Sequence, residues 1–184
     1  MKIHYHVLIL MLIISCTNKK APSQKKGEQT KKEEKEIITS EFQQIIDSAK
    51  VNGSILIYDS KENKYYSNNF EWAQQGRLPA STFKITNSII ALETKVVEND
   101  STLFKWNGEK RRLKVWEQDL IFRDAFHFSC VPCYQEVARK IGPKRMNDYL
   151  SKLAYGNMQV DSTNIDVIWK AGASQISQIQ QHTI

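Results

Sequence analysis

Residues 79–97 read Pro79-Ala80-Ser81-Thr82-Phe83-Lys84-Ile85-Thr86-Asn87-Ser88-Ile89-Ile90-Ala91-Leu92-Glu93-Thr94-Lys95-Val96-Val97. The pattern predicts a helix over residues 81–97. Ile85, Ile89, Leu92 and Val96 recur on one face at the helical period. Phe83, Ile90 and Ala91 are apolar elsewhere, so the helix is expected to be buried on more than one side. Ser81 stands at its mouth, and Lys84 lies one turn on, on the same face. A serine hydroxyl is a weak nucleophile and needs a base within hydrogen-bond reach. A lysine three residues on can supply one if its ammonium gives up its proton, which burial beside Phe83 and Ile85 favours. The helix start adds unpaired N–H groups and partial positive charge where an oxyanion would form. Alone, Ser-x-x-Lys is a weak signal, because an N-capping serine followed by a surface lysine matches it equally well.

Upstream of this helix, Ser40-Glu41-Phe42-Gln43 reads as a capping box. Phe42, Ile45, Ile46 and Ala49 follow at helical spacing, and Asn52-Gly53 stops the run. Ser54 to Asp59 suits a strand, Lys61-Glu62-Asn63 a turn, and Lys64 to Ser67 a returning strand. Downstream, Pro132 and Gly142 frame one helix. Pro143 begins another, with Met146, Tyr149, Leu150 and Leu153 on its inner stripe. Ser177-Gln178-Ile179-Gln180 is a second capping box. The reading is mostly helical with one hairpin, which is marginal alone and needs a partner strand or cover. No later segment reads as a confident strand.

The 184 residues suit about one domain. No apolar run reaches about 18 residues, which excludes a multi-spanning membrane protein. Seven Gly and four Pro exclude collagen-like chains. No period of 20–50 residues suggests a solenoid. The net charge of +6 sits mostly in the leader: residues 1–36 hold eight Lys and four Glu, and residues 37–184 carry only +2. A nucleic-acid binder would carry its basic excess on one face of the domain, so no nucleic-acid partner is expected.

Val7 to Ile14 is an eight-residue apolar core of signal-peptide size, after Lys2. It ends in Ile13-Ile14-Ser15-Cys16, which resembles a bacterial lipobox. That resemblance implies a signal peptide over 1–15, lipid on Cys16, and attachment to a membrane of the bacterial envelope; a plain signal peptide with an incidental cysteine is the other reading. Residues 16–36 have almost nothing to bury and are expected to form a disordered tether. The folded domain is expected over 37–184.

Several further pieces fall in order after Ser81-Thr82-Phe83-Lys84: Phe104-Lys105-Trp106, Ser129-x-Val131, Pro132-x-Tyr134-Gln135, Tyr155-Gly156-Asn157 and Trp169. Together they resemble the class D (oxacillinase-type) serine β-lactamases, within the larger group of penicillin-binding proteins. The likeness runs from about residue 40 to the end. It implies an α+β, β-lactamase/transpeptidase-like fold and hydrolysis of β-lactam antibiotics. Ser81 would be acylated. Lys84 would carry a carbamate made from carbon dioxide and act as general base. Ser129 would relay a proton to the lactam nitrogen. Val131 would keep the carbamate dry and Trp169 would donate its indole N–H to it. Tyr155, Gly156 and Asn157 would shape the pocket wall. No other cofactor and no metal is implied.

The family also carries a Lys-Thr/Ser-Gly motif on a later strand, and no such triplet occurs in this sequence. The sequence therefore resembles the first two-thirds of an oxacillinase: the helical domain and first hairpin, without the later strands. A chain of this extent is expected to be weakly active or inactive and prone to aggregate. Two other functions compete with hydrolysis: a β-lactam sensor or penicillin-binding domain acylated without turnover, and a non-catalytic lipoprotein remnant. Cys130-x-x-Cys133 leaves three readings open: a disulfide, a metal site needing two more ligands near His127, or two small buried side chains.

Overall fold

The computed structural model describes residues 35–183. The expected signal peptide, the expected lipid site at Cys16 and most of the expected tether lie outside the described residues. The first described strand is β1 (Lys35–Ile38), followed by helix α1 (Ser40–Ser48). The expected hairpin forms as β2 (Leu56–Asp59) and β3 (Lys64–Ser67), antiparallel in register Leu56 opposite Ser67. Asp59 Oδ1 accepts from the N–H groups of Lys61 and Glu62, which folds the turn. β1 runs parallel to β3, with Lys35 opposite Lys64 and Ile38 opposite Ser67, so the sheet order is β1-β3-β2. The partner strand that the hairpin needed thus comes from upstream. This corrects the tether boundary: Lys35 and Glu36, read as part of a leash, are paired backbone.

The expected capping box at Ser40 does not form. Thr39 is the N-cap and makes no side-chain cap, while the Ser40 hydroxyl donates to Glu41. Gln43 instead donates to Asp47 and accepts from Asn68.

After α2 (Phe70–Gln74), a single 3-10 turn over Ala80–Thr82 leads into α3 (Phe83–Glu93). α3 is shorter than the expected 81–97. The Thr94 hydroxyl bonds back to the Ile90 carbonyl, and Lys95 turns left-handed at φ +57°, which ends a helix. Its buried stripe is Phe83, Lys84, Thr86, Asn87, Ile90 and Ala91. The expected inner row lies outward instead: Ile85, Ile89 and Leu92 are 54%, 38% and 38% exposed.

Two further strands, β4 (Leu103–Phe104) and β5 (Leu120–Ile121), pair antiparallel. They lead into α4 (Phe122–His127), α5 (Val131–Ile141) and α6 (Pro143–Lys152). The core gathers α3 to α6 with Trp116, Tyr155, Ile165, Ile168, Trp169 and Ile176. Short α7 (Gln178–His182) carries the expected capping box between Ser177 and Gln180. It ties the hairpin to the α3 turn. His182 Nδ1 meets the Tyr65 hydroxyl at 3.0 Å, and the Gln181 amide donates to Thr82 Oγ1 at 2.9 Å.

Candidate active site

Ser81 is held by its neighbours. The Ala80 N–H donates to the Trp169 carbonyl at 2.8 Å, and Arg77 exchanges both backbone hydrogen bonds with Ile176. The segment entering the turn is therefore fixed from two sides, and Ala80 takes φ +49°. Such a left-handed residue costs about 1–3 kcal/mol and persists only where its surroundings dictate it. Ser81 itself is exposed at the start of the turn. Its N–H, like the other first donors of a helix, has no partner within that helix.

Lys84 lies one turn below and is only 3% exposed. Its Nζ donates to Ser81 Oγ at 3.1 Å. Burial alone pushes its pKa below the ordinary lysine value, and among the described residues no carboxylate offsets this. The Tyr134 ring sits 5.9 Å from the amine, and burial pushes the Tyr134 hydroxyl up to about 12. Tyr134 thus stays neutral and bonds Ser88 at 2.7 Å. A buried amine whose charged form is disfavoured, placed beside a hydroxyl, is the arrangement that activates a serine.

Ser129 approaches from the other side, its Oγ donating to Ser81 Oγ at 3.5 Å. The cause is local. α4 ends with Ser129 N–H on the Phe126 carbonyl and Cys130 N–H on the Ala125 carbonyl, the Schellman pattern. That pattern puts Ser129 in the left-handed region at φ +52°, a place usually taken by glycine. Ser129→Gly is expected to raise stability by about 1 kcal/mol while slowing any proton delivery by the hydroxyl. Chemical denaturation and acylation kinetics on one preparation check this; a variant both less stable and equally fast would contradict it.

Val131 opens α5 and lines the cavity at Ser81 together with Arg112, Leu113, Trp116, Phe128 and Ser129. Trp169 stacks on Phe83, ring centroids 5.6 Å apart, and is 2% exposed. Tyr155, Gly156 and Asn157 lie outside the lining of this cavity; Tyr155 lines a separate one with Thr82, Thr86 and Gln181. Tyr155 turns into the core against Phe83, and Asn157 pairs with Gln175 in an isolated bridge. Gly156, at φ +58°, lets that bridge close: a Cβ there would stand 2.2 Å from the Gln175 carbonyl oxygen.

Cys130 and Cys133 are joined in a disulfide, with Cα atoms 5.4 Å apart across the first turn of α5. Both are buried. Among the described residues no group of three or more His, Cys, Asp or Glu could hold a metal ion. Sequence reasoning passed over Trp116 and Arg112. Trp116 is 6% exposed, and its indole N–H donates to the Phe128 carbonyl at 2.9 Å, bracing the turn that carries Ser129.

The family model of the penicillin binding protein transpeptidase domain matches residues 46–184. The chain is 44% identical over 131 residues to the β-lactamase OXA-10 of Pseudomonas aeruginosa, covering 71% of this chain and 49% of that protein. It is 40% identical over 132 residues to the β-lactamase OXA-48 of Klebsiella pneumoniae, covering 72% and 49%. The crystal structure of FUS-1 (OXA-85), a class D β-lactamase from Fusobacterium nucleatum subsp. polymorphum, superposes with a TM-score of 0.75 at 34% identity, over 78% of this chain and 60% of that one. The chain thus spans about half the length of the curated relatives it matches.

Proposed function

The chain belongs to the penicillin-binding protein transpeptidase domain family, and from that premise we propose that its chemistry is acyl transfer from a β-lactam to Ser81, followed by hydrolysis. The observation that carries this reading is the 3.1 Å contact between Ser81 Oγ and a buried Lys84 amine that, among the described residues, no carboxylate neutralises. Ser81 Oγ attacks the lactam carbonyl as Lys84 Nζ takes its proton. The C–N bond of the ring breaks, Ser129 hands its proton to the departing nitrogen, and the proton that Lys84 took from Ser81 returns to Ser129, so both side chains end in their starting state. The Ser81 N–H supplies one oxyanion donor.

The buried amine also suits carbamylation. A dry, uncharged amine takes up carbon dioxide, and the resulting anion, when present, is a base strong enough to activate the hydrolytic water. Ser81 and Trp169 would hold that anion with an O–H and an indole N–H. Lipid on Cys16 would place the site at a membrane of the cell envelope.

Benzylpenicillin followed by intact-mass spectrometry tests the proposal. A single penicilloyl adduct is expected on Ser81, absent in Ser81→Ala, decaying as product accumulates. An adduct that persists for hours would favour a sensor or binding domain. No adduct, or one retained in Ser81→Ala, would overturn the reading.

A further inference from the structure

A cavity of about 590 Å³ adjoins the one at Ser81. Arg112, Trp116 and Val131 line both, so the two share a wall. The larger cavity is strongly basic. Lys105, Lys110 and Arg112 line it from the one stretch after β4 and Lys170 from a distant one, and among the described residues none of the four is ion-paired. Its acids are Glu109 and Glu136, and Glu136 is already paired with Lys140 at 2.7 Å. Charges of one sign around a concave surface focus potential into it and draw the opposite charge. Trp116 is held rigid by its bond to the Phe128 carbonyl, so the shared wall combines a fixed apolar plane with the free Arg112 fork. Such a fork matches a carboxylate in two parallel hydrogen bonds.

We propose that this basic cavity is a subsite for a second anionic group, a carboxylate or sulfonate carried on the acyl side chain of the β-lactam that acylates Ser81. The subsite rests on the acyl-transfer reading above. An acyl group on Ser81 Oγ extends past Trp116, which takes an aromatic ring, and Arg112 then meets an anion placed next to that ring. The subsite sets preference among β-lactams and leaves the bond-breaking steps unchanged.

The test is a ratio. Second-order acylation constants are measured on the full chain by intact mass for a penicillin with an α-carboxybenzyl side chain and for benzylpenicillin, which differ by that one carboxylate. The doubly anionic penicillin is expected to react about tenfold faster at low salt, with the advantage shrinking as salt screens it. Arg112→Glu and, separately, Lys170→Glu should bring the ratio to one or below, whereas Lys144→Glu on α6, outside the cavity, should leave it unchanged. A ratio of one in the unaltered chain, or one insensitive to both cavity reversals, overturns the subsite alone when benzylpenicillin still acylates Ser81. Failure of both penicillins to acylate overturns the acyl-transfer reading and the subsite with it.

Discussion

Lys84→Ala is expected to slow acylation of Ser81 by about 10²–10⁴-fold, the range for loss of a general base, while the fold survives. The rate falls because, among the described residues, Ser81 Oγ is given no other basic partner: Ser129, at 3.5 Å, is a hydroxyl. The fold survives because Lys84 gives the core no ion pair, and burial sets its amine against its preferred charge. The sign of the pH effect follows. The folded-state pKa of Lys84 lies below its ordinary value of 10.5. Between those two values the unfolded chain binds the proton and the folded chain does not. Stability therefore rises with pH through that window, the penalty being complete below it and gone above it. Lys84→Ala should flatten that slope. Acylation kinetics and denaturation at several pH values check both halves; a variant that reacts normally removes Lys84 from the mechanism.

Gly156→Ala is expected to produce the largest stability loss among single methyl additions, about 3 kcal/mol or more. The added Cβ would meet the Gln175 carbonyl oxygen at 2.2 Å and Ile176 Cβ at 2.8 Å, at a φ of +58°. Neither side can yield cheaply. Asn157 and Gln175 exchange backbone bonds of 2.7 and 3.0 Å, and Ile176 is bonded to Arg77 on the path to Ser81. The melting temperature should drop by on the order of 10 °C for a chain of this size. Gly108→Ala is the control: its φ is +83° but nothing lies within 4 Å of the new carbon, so backbone strain alone operates. Equal melting temperatures for the two variants would contradict the packing argument.

Elements defined by local chemistry were legible in the sequence. Pro132, Pro143 and Gly142 punctuate α5 and α6, Ser177 and Gln180 cap α7, and the Asp59–Asn63 turn closes the hairpin. What depended on distant partners was not. Lys35 and Glu36 read as the end of a leash until Lys64 and Tyr65 lie beside them. The period of α3 marks apolar residues but not the side on which the core falls: burial on more than one side is expected, yet the Ile85–Ile89 face lies outward. The site divides the same way. Ser81 and Lys84 share one turn and were visible together, and family resemblance added Ser129. Trp116 and Arg112 reach the site only because a loop folds beneath the end of α4. Tyr155 follows the left-handed Ala154 just past α6 and packs into the core against Phe83. The Cys130–Cys133 bond needed the Cα separation, which spacing alone does not supply.

The most direct test of the Ser81–Lys84 pair is the pH dependence of the second-order acylation constant for benzylpenicillin, read by intact mass on the full chain. The buried amine should give a rising limb whose midpoint lies clearly below 10.5 and which disappears in Lys84→Ala. A limb centred at the ordinary lysine value, or one unchanged in that variant, would show an amine in water that takes no proton from Ser81.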